Sequence, residues 1–142
     1  MKPFEIIDHT ADVGIKTHGN TLTELFENAA RGMFAVITRE GANPQGSHVE
    51  KNIEINKDAG ELEDMLVSWL SELLYIFNRE KLCFNSFKIA GLNNNSLKAV
   101  AGGVSIDLYQ NDLYTEIKAV TFHNLKIEED VEGFSCTIIF DV

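Results

Sequence analysis

Two carboxylates, an imidazole and a hydroxyl crowd into Asp8-His9-Thr10-Ala11-Asp12-Val13-Gly14, between the apolar runs 4–7 and 13–15. Asp side chains bond nearby main-chain N–H groups and compete with a sheet ladder. A bend is therefore predicted here, turning Asp8 and Asp12 toward solvent or toward a shared ligand. The same spacing also suits an Asp-rich turn that binds nothing. At the far end of the chain, Phe134, Cys136, Ile138, Phe140 and Val142 alternate with Ser135, Thr137, Ile139 and Asp141. That period predicts a strand over 134–142 with the first set inward and Asp141 pointing the other way. The α-carboxylate of Val142 then lies beside Asp141, and adjacent anions repel unless a cation or a basic side chain comes between them. Should Asp12 reach the same place, three oxygen-donor groups meet, a set suited to Ca²⁺ or Mg²⁺ rather than zinc. A solvated terminus with one ordinary surface Asp is the alternative.

Residues 116–123 read as another strand, with Lys118 on one face and Thr121 and His123 on the other. A lysine beside a carboxylate cluster could replace or compete with a bound cation; on a half-exposed strand it could equally guard an edge. His9 and His123 are of the residue type that serves as acid or base near neutral pH, and with Asp12 they could serve a metal-dependent hydrolase. No serine or cysteine in a recognisable setting stands ready as their nucleophile. Gly102-Gly103 is an isolated pair that begins neither a Walker loop nor a dinucleotide-binding pattern.

Several elements must position these groups. Thr21 and Glu24 fit a capping box, followed at helical spacing by Leu22, Leu25, Phe26, Ala29, Ala30, Met33, Phe34 and Ile37. The helix ends at Thr38, before a Gly/Pro-rich loop at 41–46. A strand over 49–57 follows, with Val49, Lys51, Ile53 and Ile55 on one face and a wet opposite face. Asp58 and Glu61 repeat the cap pattern before a wider apolar stripe, Leu62, Met65, Leu66, Trp69, Leu70, Leu73, Leu74 and Phe77. Further strands are predicted at 82–89, 97–101, 114–127 and 134–142, the last two separated by an acidic turn at 128–133. Their links are too short for helical crossovers. The expected fold is α+β, a largely antiparallel sheet with two amphipathic helices packed on it, and a β-α-β echo suggests internal duplication.

The chain has 142 residues, 44% hydrophobic and 24% charged, enough for a single domain spanning 1–142 with its own core. A formal net charge of -10 opposes any role in wrapping phosphate backbones, so no direct stable nucleic-acid binding is expected. It suits a divalent cation or a partner with a basic face. Cys83 and Cys136 are too far apart for a metal-binding pair and read as reduced, buried thiols of a cytoplasmic protein. Neither a signal peptide nor a membrane-spanning stretch is expected.

Four co-linear segments, 8–15, 62–74, 116–123 and 140–142, together resemble the archease family over nearly the whole chain. The resemblance implies an accessory protein of the RtcB-type RNA ligase of tRNA splicing, which promotes ligase guanylylation and multiple turnover and is not itself an enzyme. A general chaperone-like modulator of nucleic-acid-processing enzymes is the alternative. It also implies a bound divalent cation, Ca²⁺ or else Mg²⁺, with Asp12, Asp141 and Val142 as ligands. Asp12, Lys118 and Asp141 would form the tip that acts on the ligase. Val104, Asn111 and Phe122 depart from the family pattern, in which Glu, His and Tyr are expected. Those departures bear on partner contacts and leave the cation ligands untouched.

Overall fold

The computed structural model describes residues 2–9, 12–38, 47–58, 60–105 and 114–142. Its elements run β1 (Phe4–His9), β2 (Asp12–Gly19), α1 (Leu22–Ile37), β3 (His48–Asn56), α2 (Leu62–Glu80), β4 (Leu82–Leu92), β5 (Ser96–Ser105), β6 (Ala119–Val120), β7 (Glu128–Asp130) and β8 (Gly133–Asp141). Every strand pair among the described residues is antiparallel, as expected, but the strands divide into two sheets. One has the order β1-β2-β8-β6, with β7 also against β8; the other has the order β3-β5-β4. The final strand of the chain is thus interior to its sheet, flanked by β2 on one side and by β6 and β7 on the other.

Helix α1 forms as its sequence dictates. Thr21 Oγ1 accepts the Glu24 N–H at 3.2 Å and satisfies an orphan donor of the first turn, while Glu24 Oε1 reaches one residue past the N-cap to accept the Asn20 N–H at 3.2 Å. The helix ends at Thr38, whose N–H and hydroxyl both return to the Phe34 carbonyl. For α2 the cap lies three residues beyond the expected Asp58: Glu61 is the N-cap, in a reciprocal box with Asp64. The reason is tertiary. Lys57 N–H bonds the Asn95 carbonyl and Asn94 Nδ2 bonds the Gly60 carbonyl, so the approach to the helix is held against the β4–β5 turn.

The core lies between the helices and both sheets, with Trp69, Phe26, Phe84, Phe140 and Ile15 fully buried. Trp69 Nε1 donates to the Phe26 carbonyl at 2.9 Å, a buried link between the helices that fixes their relative height. Phe34 of α1 meets Phe77 of α2 and Phe84 of β4 edge-on, at centroid distances of 5.9 and 5.6 Å. On β3 the predicted alternation holds: Ile53 is buried and His48, Glu50, Asn52, Glu54 and Asn56 are exposed. Gly102 and Gly103 lie in β5 where the β4 register shifts between Phe84 and Ser86. A Cβ at Gly103 would overlap the Cys83 carbonyl, so the pair serves close strand approach at a bulge.

Residues 114–127 do not form the long strand expected. Thr115 N–H bonds the Ile37 carbonyl at the end of α1, only Ala119–Val120 pair with β8, and Leu125 N–H closes a turn onto Phe122. Ile117 and Val120 are both buried, a spacing of three that breaks the alternation. His123 therefore lies in a turn, not on a strand face. The acidic stretch after it is a strand, β7, followed by a tight turn at Val131-Glu132.

Candidate cation site

The bend predicted between the first two apolar runs is a reversal: β1 and β2 pair with His9 opposite Asp12, while residues 10 and 11 at the turn lie outside the described residues. On its other side β2 pairs with β8, from Gly19 opposite Phe134 to Val13 opposite Phe140. The next position along the same two strands holds Asp12 and Asp141. Beyond β8, Ala119 of β6 stands opposite Asp141, and the Lys118 N–H donates to the Asp141 carbonyl at 2.7 Å. Four neighbouring strands thus end in one row that runs His9, Asp12, Asp141, Ala119.

Pleating sets which way this row faces. Ile15, Thr17, Cys136, Ile138 and Phe140 are buried toward the helices. Asp12 and Asp141 have the opposite parity and belong to the outer face. Gly14, next to Asp12 on that face, is hemmed in: an added Cβ would lie 2.8 Å from Ile139 Cδ1 and 3.1 Å from Ile7 Cγ1. The missing side chain lets Ile7 and Ile139 close over β2, which explains why Ile139, grouped with the outward set, is 6% exposed. Beyond this apolar cover Asp12 is half-buried and Asp141 exposed, while Val142 packs its side chain against the core.

Among the described side chains the donors brought together are carboxylate oxygens, which fit a hard cation such as Ca²⁺ or Mg²⁺. Among the described residues, no three His, Cys, Asp or Glu side chains converge as a metal cluster. Among the described residues the row carries two side-chain carboxylates, those of Asp12 and Asp141. Lys118 is exposed and reaches the row through its main chain; its side chain lines a groove with Leu74, Tyr75 and Asn78 of α2. The His9 side chain, considered for an acid–base role, and Asn111 lie outside the described residues. His123 is carried by the turn that follows β6.

The cysteines are unpaired and buried. Burial pushes the Cys83 thiol up to about 11, and burial together with the Glu63 charge pushes Cys136 up to about 12. Both remain protonated and unreactive near neutral pH. Glu63 does more than its sequence position signals: Oε2 accepts the Ile127 N–H at 2.8 Å and ties α2 to the segment entering β7. Glu27 similarly accepts the Ile89 N–H of edge strand β4 at 2.9 Å. No local pattern marks either role, because each joins residues more than 60 positions apart. No helix among the described residues is long and apolar enough to cross a membrane.

Comparison with known proteins places this arrangement. The profile of the Archease protein family (MTH1598/TM1083) matches residues 4–142. Protein archease of Methanosarcina acetivorans is 38% identical over 145 residues, covering 99% of this chain and 97% of that protein. Protein archease of Sulfolobus acidocaldarius is 32% identical, with both chains covered completely. The solution structure of Methanobacterium thermoautotrophicum Protein 1598 superposes with a TM-score of 0.77 at 32% identity over all of both chains. A Thermotoga maritima archease described as a possible chaperone shares the fold, with a TM-score of 0.63 at 24% identity, covering 96% of this chain and 94% of its own. With its fold and its sequence matched from end to end by these proteins, the chain belongs to the archease family.

Proposed function

We propose that this archease is a non-catalytic activator of an RtcB-type RNA ligase, promoting ligase guanylylation and multiple turnover during tRNA splicing or RNA repair. One observation carries the reading: the β2–β8 register, which sets Asp12 beside Asp141 at an accessible strand end. Asp12, Asp141 and Val142 would hold a divalent cation, Ca²⁺ or Mg²⁺, which supplies positive charge and open coordination positions between the two proteins. A ligase centre that handles metal ions, a nucleotide and RNA ends presents basic and metal-binding groups, to which an acidic tip is electrostatically complementary. Lys118 flanks that tip and would set its approach through its own contacts.

The direct test is a guanylylation assay with the ligase encoded by the same genome, with and without this protein and with chelator. Asp12→Ala and Asp141→Ala should abolish stimulation while keeping the fold, since neither side chain is buried in the core. Full stimulation by both variants refutes the assignment. The chaperone-like alternative requires a broad apolar surface. Among the described residues, the large exposed hydrophobic side chains Tyr75, Val100, Phe122 and Val131 lie on separate elements.

A further inference from the structure

At the opposite end of β8 lies a cleft of about 530 Å³. From Phe134 to Asp141 the strand advances seven residues, about 23 Å, so this cleft is remote from the acidic row. Its apolar lining comes from Leu22 at the start of α1, Leu62 at the start of α2, Ile127 before β7 and Phe134 of β8, all partly buried. Three carboxylates rim it: Glu61, Glu63 and Glu129. The rim continues into the β7–β8 hairpin, where Glu128, Asp130 and Glu132 are exposed around Val131, which is 104% exposed. Of the nearby cations, Lys57 is turned away, its Nζ donating to Ser68 Oγ at 2.9 Å, and Lys126 is exposed.

We propose that this cleft is a docking site for a basic segment of a partner protein, in which arginine or lysine alternates with aliphatic residues. Charge complementarity selects the sign of the occupant: a phosphate backbone is repelled, whereas a guanidinium or ammonium is drawn to Glu129 and the hairpin. The apolar walls select its shape. Four hydrophobic side chains contribute nothing to holding a bare metal ion, but they cover the alkyl stem of an arginine and its aliphatic neighbour. Moreover, Glu63 is committed to the Ile127 N–H, so that part of the lining is fixed in place while retaining its charge. The volume falls within the range of about 300–1,000 Å³ typical of pockets that seat small molecules, enough for one or two side chains. This site is independent of the ligase reading and would give the molecule two attachment points, one at each end of β8.

The experiment uses the full chain in chelator, so that the cation site plays no part. A fluorescein-labelled, end-capped hexapeptide of alternating leucine and arginine is titrated by fluorescence anisotropy at low salt. Saturable binding is expected, weakened at least about fivefold by Glu129→Lys, because an attractive rim charge becomes repulsive. It should weaken about as much when the peptide's leucines become glycine, and stay unchanged in Glu50→Lys, an equal charge reversal at an exposed position of β3. Glu129 is exposed, so Glu129→Lys is expected to fold, and the peptide substitution needs no protein variant at all. Absence of saturable binding overturns the proposal. So does undiminished binding of the glycine peptide, which would reveal diffuse charge attraction only, or an affinity indifferent to Glu129→Lys.

Discussion

Asp141→Asn should invert the order of stability between chelator and calcium. Directly opposed strand positions place Cβ atoms about 5 Å apart, and two unit charges at that separation in water-like surroundings repel by about 0.8 kcal/mol. Asp141 is exposed, so the high-dielectric value applies. In chelator the Asn variant should therefore match or exceed the parent by up to about 0.8 kcal/mol. A ligand that binds only the folded state stabilises by about 2.7 kcal/mol at one hundred times its dissociation constant. For a chain of this size that corresponds to a rise in Tm of roughly 5–10 °C, which the parent should show in saturating calcium and the variant should lose. Paired melts with calcium and with EDTA read all four values. The reasoning fails if calcium raises both proteins equally, or if the variant melts well below the parent in EDTA.

Two further expectations concern the interior. Trp69→Phe removes the 2.9 Å bond to the Phe26 carbonyl and leaves unfilled volume between the helices, so the urea midpoint should fall by an equivalent of about 1–3 kcal/mol with little change of slope. Burial, with the Glu63 charge beside it, pushes the Cys136 thiol up to about 12 in the fold, from 9.0 for a thiol in water. The unfolded chain loses that proton first, so the stabilising contribution is intact below pH 9 and disappears as pH rises toward 12. Urea titrations between pH 9 and 11 should show the parent losing about 1.4 kcal/mol per pH unit more than Cys136→Ala. Equal slopes would place this thiol in water.

Local signals carried the helices and the pleating. The α1 cap and stripe are complete within Thr21–Thr38, where side-chain spacing and capping chemistry agree. On β8 the two-residue alternation correctly turned Cys136, Ile138 and Phe140 inward. Ile139 escaped it because its burial depends on Gly14 and Ile7, residues of two other strands. The start of α2 departs from its local pattern for a related reason. Asp58/Glu61 and Glu61/Asp64 are equivalent as acidic pairs, and the choice between them is made by Asn94 and Asn95 across the fold. Residues 114–127 carry strand-like composition, yet their main chain is spent closing α1, touching β8 and turning at Phe122. Of the candidate site, the two Asp residues could be named from type and position alone, while their adjacency is a property of strand order. The cleft beside Phe134 draws its walls from five separated stretches of chain, and nothing in any one of them announces it.

Because β8 sits inside its sheet although every other described strand precedes it in sequence, synthesis must pass through all of them before that sheet can be completed. β1 and β2 must wait with one flank open, whereas the β3-β5-β4 sheet has all of its described strands once residue 105 has emerged. Closure is therefore a long-range, comparatively slow event. It is also the step that delivers Asp141 to Asp12, so a nascent or truncated molecule lacks the acidic tip until its final strand has docked.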